Sequence, residues 1–172
     1  MEERNIMVPV SSLKEYLKEL GITVTVLSEY SGINLSHLTM CINGTIDSRN
    51  GCSRILSECK LKQLQDALHE ISLKLKYVFI FYNTDFEEVK QNGNRYCSNC
   101  VDQIKDQLSP YFKLLPFMEY ALGWNKSKVR NVINNKKSIS YGNISQQDVN
   151  RINIVLAEIA ALLDRITLVK TI

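Results

Sequence analysis

The chain has 172 residues, of which 45% are apolar and 23% charged, with only seven Gly and three Pro. This composition is typical of a soluble, helix-rich globular protein, and the length suffices for one sizeable core or two small ones. No apolar run approaches the length of a membrane span, and the start MEERNIMVPVSS lacks the basic and apolar regions of a secretory signal. We therefore expect a cytoplasmic protein without a membrane segment.

The net charge of +3 is distributed unevenly along the chain. Residues 1–75 hold 8 Lys and Arg against 9 Asp and Glu, a net of −1, whereas residues 101–172 hold 10 against 6, a net of +4. No acidic residue lies between Glu119 and Asp148. Five cations fall in this interval, namely Lys126, Lys128, Arg130, Lys136 and Lys137. This local excess predicts an anion-binding surface.

The first half of the chain, residues 1–83, predicts three short helices followed by one long helix. Ser12-x-x-Glu15 has the form of a capping box, in which both side chains bond free backbone N–H groups, and we expect it to open the first helix. Apolar residues at i, i+3 and i+4 spacing, such as Leu38, Cys41 and Ile42, then indicate buried helical stripes. The expected helices cover approximately residues 12–20, 24–31, 35–43 and 57–82.

The long fourth helix carries an apolar stripe whose steps alternate between three and four residues, which is a seven-residue periodicity. Its members are Leu61, Leu64, Leu68, Ile71, Leu75, Val78 and Tyr82. The run YVFIFY at 77–82 would also suit a strand, but the unbroken phase through Val78 and Tyr82 favours a helix. The connector, residues 84–100, predicts one short helix near 85–91 and then a Gly/Asn turn.

The chain holds five cysteines, an odd number that argues against a disulfide framework. They are Cys41, Cys52, Cys59, Cys97 and Cys100. Cys97-Ser-Asn-Cys100 is a C-x-x-C pattern that zinc or thiol redox chemistry can use. A zinc site needs about four N or S ligands, and neither this pair nor Cys52 with Cys59 continues into a known finger. We therefore expect small, half-buried thiols, with no metal and no other cofactor.

The second half, residues 101–172, repeats the pattern of the first. The stretch GINLSHLTMCING at 32–44 returns as GWNKSKVRNVINN at 123–135, 91 residues later. The long apolar stripe returns at an offset of 88 residues, in Val149, Ile152, Leu156, Ile159, Leu163 and Ile166. The corresponding helices are expected over 99–108, 114–122, 126–134 and 146–168. The sequence therefore predicts an all-α protein in which each half ends in a long amphipathic helix.

The two related stretches resemble the lambda-repressor-like (Cro/repressor, Xre-type) helix-turn-helix family. In that family a helix ends at a Gly, an apolar residue follows, and a small polar residue caps the recognition helix, which closes on a polar residue. These roles would fall to Gly32, Ile33, Asn34, Asn43 and Gly44, and in the second half to Gly123, Trp124, Asn125, Asn134 and Asn135. The resemblance implies tandem helix-turn-helix repeats at 1–83 and 101–172 that bind double-stranded DNA.

Burial of Val129, Val132 and Ile133 would turn the polar side chains of residues 126–134 towards solvent. Arg suits the O6/N7 pair of guanine, Asn suits the N6/N7 pair of adenine, and lysines reach phosphates. The candidate DNA-binding residues of the second half are Lys126, Ser127, Lys128, Arg130, Asn131, Asn134, Lys136 and Lys137. The alternative is a charged helix face that is merely solvated. Trp124 is expected in the core because it replaces Ile33.

The corresponding face of the first half has no Lys or Arg, so it is the weaker candidate for DNA contact. Its residues are Leu35, Ser36, His37, Thr39 and Asn43. Leu35 and Thr39 can contact thymine methyl groups, and Ser36 can bond to either base of a pair. This face would alternatively have lost DNA contact and become an interaction surface.

Neither long stripe can remain in water, so each long helix needs a partner. The simplest arrangement packs 61–82 against 149–168 of the same chain, with the two halves about a pseudo-two-fold axis. At about 1.5–3 kcal/mol per fully buried aliphatic side chain, this seam would be a main source of stability. The alternative is a homodimer in which one stripe joins two chains.

These features predict a sequence-specific DNA-binding protein, a transcriptional regulator or phage-type repressor that acts by operator occupancy, with the second half as the main reader. The alternative is a protein-interaction module that keeps the helix-turn-helix fold without specific DNA binding. We expect no enzyme activity, because the sequence contains no Ser/His/Asp order, phosphate loop, metal quartet or nucleotide fingerprint.

Overall fold

The computed structural model describes residues 5–47, 49, 51–52, 54–89, 93 and 95–170. The helices in these ranges are α1 (Val10–Lys18), α2 (Val24–Ser31), α3 (Leu35–Ile42), α4 (Glu58–Leu75), α5 (Ser98–Leu108), α6 (Leu114–Leu122), α7 (Lys126–Val129) and α8 (Gln146–Arg165). The strands are β1 (Ile6–Pro9), β2 (Glu87–Val89), β3 (Arg95–Cys97) and β4 (Ile166–Val169), with β1 parallel to β4 and β2 antiparallel to β3. None of the described helices is both long enough and apolar enough to cross a membrane.

The mainly helical expectation is confirmed, and the short helices lie close to their predicted positions. α2 and α6 have the predicted bounds, and α3 and α5 each differ from the prediction by one residue at one end. α7 continues into a π-helical turn over Arg130–Asn134, so that the two together fill the predicted range. The two small sheets were not expected from the sequence.

The expected capping box at the start of α1 is wrong. α1 begins at Val10, directly after β1, and no side chain caps it. Ser12 and Glu15 therefore lie inside the helix and not at its boundary. Pro9 stands at this boundary. Proline suits the position because its φ of −60° is close to a helical value and it has no N–H group to leave unbonded.

Both long helices are shorter than the seven-residue periodicity indicates. α4 ends at Leu75, and residues 78–83 belong to neither a helix nor a strand, in place of the predicted helix to 82. In this segment Ile80 is fully buried, whereas Phe79 and Phe81 on either side of it are exposed, which is the alternation of an extended chain. α8 ends at Arg165 and passes into β4, in place of the predicted helix to 168.

α4 and α8 pack against each other in antiparallel directions. In the last turn of α4, the buried Ser72 hydroxyl donates at 2.7 Å to Ala160 O, which lies in the later part of α8. Gln65, near the middle of α4, contacts the strand that follows α8, whereas Asn153, in the first half of α8, contacts Ile80 beyond the end of α4. The predicted packing of the two stripes within one chain is therefore confirmed.

Two contacts across this seam join positions that correspond in the two halves and are 88 residues apart, the offset found in the sequence. Ser72 and Ala160 are 88 residues apart and bond to each other, and Lys76 and Asp164, also 88 apart, form an ion pair. Contacts between equivalent positions arise where a two-fold axis passes between them. The two long helices are thus related by a pseudo-two-fold axis near Ser72 and Ala160.

Two side-chain amides, which we term the amide clasps, hold the extended segments against the seam. Gln65 Nε2 donates to Ile166 O at 2.7 Å, and Gln65 Oε1 accepts from the Leu168 N–H at 2.8 Å. Asn153 Nδ2 donates to Ile80 O and Asn153 Oδ1 accepts from the Ile80 N–H, both at 2.9 Å. Because Gln65 and Asn153 are themselves 88 residues apart, the clasps follow the same axis. The two amides bond backbone N–H and C=O groups that would bond within the helices if α4 and α8 were longer.

The connector contains a hairpin where a helix near 85–91 was predicted. A single 3₁₀ turn over Thr84–Phe86 leads into β2, which pairs with β3. The Asn83 side chain caps this turn by accepting from the Asp85 N–H at 2.9 Å. Residues 90 and 91 of the predicted helix lie outside the described residues. The helix prediction is wrong because the chain turns after Phe86 and bonds to β3.

Replacement of Gln65 with alanine removes both bonds of one amide clasp. We expect Gln65→Ala to lower the free energy of unfolding by about 1–3 kcal/mol, since a buried hydrogen bond contributes about 0.5–1.5 kcal/mol. Gln63→Ala, at an exposed position of the same helix, should change it by less than about 0.5 kcal/mol. Urea denaturation of both variants measures the difference, and equal effects would contradict the role of the clasp.

Asp164 gives the seam a dependence on pH. Burial opposes ionisation of Asp164, but hydrogen bonds from Lys76 and His69, together with the charge of Lys76, outweigh it and lower the pKa of the carboxyl. Its contribution to stability is therefore present above the unfolded pKa of about 4 and is lost as the pH falls through the lower folded pKa.

Asp164→Asn should reduce the free energy of unfolding at pH 7 and should flatten its decline between about pH 5 and pH 2. Asp66→Asn, at an exposed position of α4, is the matched control. Denaturant titrations across this pH range make the comparison. A decline as steep in Asp164→Asn as in the unchanged protein would show that the ion pair does not contribute.

Candidate nucleic-acid interface

Each half contains two short helices joined by a turn of the same construction. α2 ends at Gly32, whose φ is 66°, and α6 ends at Gly123, whose φ is 64°. Glycine adopts this left-handed conformation without the steric cost that a side chain brings, so the chain can turn sharply there. The next helix is capped by Asn34 or Asn125, each of which accepts from a backbone N–H of the first turn.

The apolar stripes of α3 and α7 are buried as predicted. In the second half Val129, Val132 and Ile133 are in the core, and Trp124 is only 7% exposed. The predicted site residues of this half all lie on the surface, namely Lys126, Ser127, Lys128, Arg130, Asn131, Asn134, Lys136 and Lys137. The structure therefore brings them to one exposed region around α7 and the turn after it.

Lys126, Lys128 and Arg130, which we term the cationic ridge, carry charge that no neighbouring acid neutralises. Among the described residues, none forms an ion pair within 4.0 Å of these three side chains. The Lys128 Nζ lies 4.1 Å from the ring centroid of Trp124, a cation–π contact that positions the ammonium without removing its charge. The ridge is thus an exposed surface of positive potential.

α3 and α7 end differently because their last residues differ. In the first half Gly44, with a φ of 62°, lets the chain close the helix with a bond from the Thr45 N–H to Met40 O at 3.0 Å. In the second half Asn135 stands at this position with a φ of −95°, and its N–H bonds to Arg130 O at 2.9 Å. Both bonds span five residues, but without a left-handed residue the second one belongs to a π-helical turn over Arg130–Asn134.

The turn after α7 holds the last two predicted cations. The Asn135 Oδ1 accepts from the Lys137 N–H at 3.2 Å, so the side chain that ends the helix also shapes the turn. Lys136 and Lys137 are both exposed there. They extend the positive surface past the end of the π-helical turn.

The face of the first half is less exposed than that of the second. Leu35 (41% exposed), Ser36 and Asn43 lie on the surface, whereas His37 and Thr39 are half-buried. Asn43 Oδ1 accepts from the Lys14 Nζ at 3.2 Å, which ties the end of α3 to α1. The weaker candidates therefore form a smaller, more apolar patch.

This patch has cationic neighbours that the sequence did not reveal. Burial lowers the pKa of His37, and the charges of Lys60 and Arg54 lower it further. His37 is therefore neutral at pH 7. Arg54 also forms an ion pair with Asp47 at 3.3 Å. These cations belong to the loop after α3 and the first turn of α4, so helical periodicity in α3 could not indicate them.

The chemistry available at this surface is that of hydrogen-bond donors and positive charge. Ammonium and guanidinium groups bond to phosphate oxygens, and amide and guanidinium groups can also pair with base edges. Comparisons of the chain with protein-family models, with curated proteins and with solved structures find no match.

The cap at the start of α7 can be tested directly. Asn125→Ala removes the bond that Asn125 Oδ1 accepts from the Lys128 N–H at 2.8 Å, and should lower the free energy of unfolding by about 1 kcal/mol. Asn125→Ser retains an oxygen that can cap the helix and should preserve most of the stability. Thermal or urea unfolding measures both, and an equal loss in the two variants would contradict the capping role.

Proposed function

We propose that this protein is a sequence-specific double-stranded DNA-binding protein, a transcriptional regulator or phage-type repressor that acts by operator occupancy and without chemistry. The observation that carries the proposal is the cationic ridge, which is exposed and lacks acidic partners among the described residues. Unneutralised cations on one face attract the phosphate backbone and release its counterions.

In this proposal each half is a lambda-repressor-like helix-turn-helix repeat. The support is local: α2 with α3, and α6 with α7, are joined through a left-handed glycine followed by a capping asparagine. A helix capped at its start and exposed along one face can enter the major groove with its first turns towards the bases. α3 and α7 are the recognition helices of this arrangement.

The second half is the main reader because its side chains can make both kinds of contact. Arg130 suits the paired acceptors of guanine, and Asn131 or Asn134 suits adenine. Lys126, Lys136 and Lys137 supply the attraction to phosphates that does not depend on sequence. The first half, with Leu35 exposed and Arg54 nearby, would read a second half-site less strongly.

The pseudo-two-fold axis gives a reason for the duplication. Helix-turn-helix proteins commonly present paired recognition helices to half-sites one DNA turn apart, and two repeats in one chain can build such a pair. Because the α3 and α7 faces differ in charge, the expected operator is asymmetric. The proposal thus requires no second copy of the chain.

A protein-interaction module is the second candidate, and one observation favours it. Tyr77, Phe79 and Phe81 form an exposed aromatic strip, with exposed fractions of 88%, 51% and 61%. The rings of Phe79 and Phe81 lie 4.8 Å apart between centroids. Exposed apolar surfaces of this kind commonly serve protein contacts. Under this alternative, the cationic ridge contributes no specific binding.

Fluorescence anisotropy with labelled duplex DNA at several salt concentrations separates the two candidates. Binding by the ridge should weaken steeply with salt, and Lys126/Lys128/Arg130→Ala should reduce the slope of log K against log[salt] by about 2–3. The matched control is Lys18/Lys62/Arg151→Ala, which removes the same charge from exposed positions of α1, α4 and α8. This control should retain most of the affinity.

Equal losses of DNA affinity in the two triple variants would contradict a defined DNA-binding face and favour non-specific attraction. Selection from a random duplex pool then tests sequence reading. We expect an enriched asymmetric motif, in which Arg130→Ala relaxes the preference at one guanine and costs about 1–3 kcal/mol. A pool that shows no enrichment would favour the interaction module.

A further inference from the structure

Two of the five cysteines lie in direct contact inside the protein. Cys97 immediately precedes α5, Cys100 lies in its first turn, and both side chains are fully buried. Their Sγ atoms are 3.1 Å apart. Residues three apart at the start of a helix have Cα atoms about 5 Å from each other, which falls in the range that disulfides span. The pair is therefore positioned to form a disulfide with little backbone movement.

The other cysteines and possible metal ligands do not share this site. Cys52 and Cys59 are exposed, and Cys41 lies against His37 in the first half. Nowhere in the described ranges do three His, Cys, Asp or Glu side chains gather as a metal site would require. Each of the two thiols thus has the other as its nearest sulfur atom. This arrangement favours thiol chemistry over metal binding.

The extended segment after α4 covers the thiols. The Cys100 Sγ donates to Phe81 O at 3.4 Å, and the Cys97 Sγ lies 3.9 Å from Asn83 O. Gln103 of α5 holds the same segment, because its Oε1 accepts from the Phe81 N–H at 2.9 Å and its Nε2 donates to Phe81 O at 3.1 Å. Residues 81–83 must open before any external thiol or disulfide can reach the sulfurs.

We propose that Cys97 and Cys100 form a reversible, intramolecular disulfide that is controlled by opening of residues 81–83. The oxidant would be a low-molecular-weight disulfide such as oxidised glutathione. Once the segment opens, Cys97 loses its proton to solvent and attacks one sulfur of the oxidant, so that a mixed disulfide forms and the other half of the oxidant leaves as a thiolate, which takes up a proton. Cys100 then loses its proton and attacks the Cys97 sulfur, so that the protein disulfide forms and the second thiol leaves.

The environment of the two sulfurs assigns their order in this reaction. Cys97 lies beside Asn83, at the end of the covering segment, and its Sγ has the longer of the two contacts with that segment, 3.9 Å against 3.4 Å for Cys100. Burial and the neighbouring Cys97 thiol raise the pKa of Cys100 to about 12, so Cys100 stays protonated in the closed protein. Oxidation removes both thiol donors and with them the bond from Cys100 to Phe81 O, although the Gln103 bonds remain.

The test equilibrates the full chain with mixtures of reduced and oxidised glutathione, followed by acid quenching, alkylation and peptide mass spectrometry. We expect a Cys97–Cys100 disulfide whose fraction follows the glutathione ratio and returns to the dithiol on reduction. The exposed Cys59 serves as the internal reference for a thiol that the reagent reaches without opening. Two unmodified thiols at every ratio, or pairing with another cysteine, would overturn the proposal.

A separate variant tests whether residues 81–83 control access to the two thiols. Gln103→Ala removes both bonds to the Phe81 backbone and should accelerate disulfide formation by about tenfold, since each lost bond favours the open segment several-fold. Gln147→Ala, at an exposed position of α8, is the matched control and should leave the rate unchanged. Equal rates in the unchanged protein and in Gln103→Ala would overturn the covering role. Neither measurement depends on DNA binding.

Discussion

Each of the two long helices carries an apolar stripe that water does not tolerate, and the chain buries both stripes by packing α4 against α8. This contact sets the antiparallel direction of the pair and places a pseudo-two-fold axis near Ser72. The short helices of each half then pack on one of these two helices, α2 on α4 and α6 on α8. The orientation of any surface on α3 or α7 is thus fixed through the seam.

The short helices could be predicted closely because local sequence specifies them. A left-handed glycine and a capping asparagine mark the boundaries of α3 and α7, and i, i+3, i+4 spacing marks their buried stripes. The ends of the long helices could not be predicted, because the periodicity continues through Val78 and Ile166 while amides from the other half bond the backbone there. Tertiary hydrogen bonds, absent from any local pattern, decide where α4 stops.

The candidate site likewise has features that the sequence predicts and features that it does not. The exposure of Lys126 and Arg130 follows from the buried stripe of α7, so the sequence predicts it. The cations beside α3 could not be predicted, because Arg54 and Lys60 reach His37 from a loop and another helix. The contact between Cys97 and Cys100 follows from C-x-x-C spacing, but their complete burial depends on a segment from the end of the first half.

The small sheet of β1 and β4 joins residues 6–9 to residues 166–169. During synthesis the first of these segments leaves the ribosome some 160 residues before its partner, since Ile6 pairs with Ile166. β1 therefore stays unpaired until nearly all of the described chain has emerged, and Gln65 emerges 101 residues before its acceptor at Ile166. Closure of this sheet therefore comes late in synthesis, because its two strands lie so far apart in the sequence.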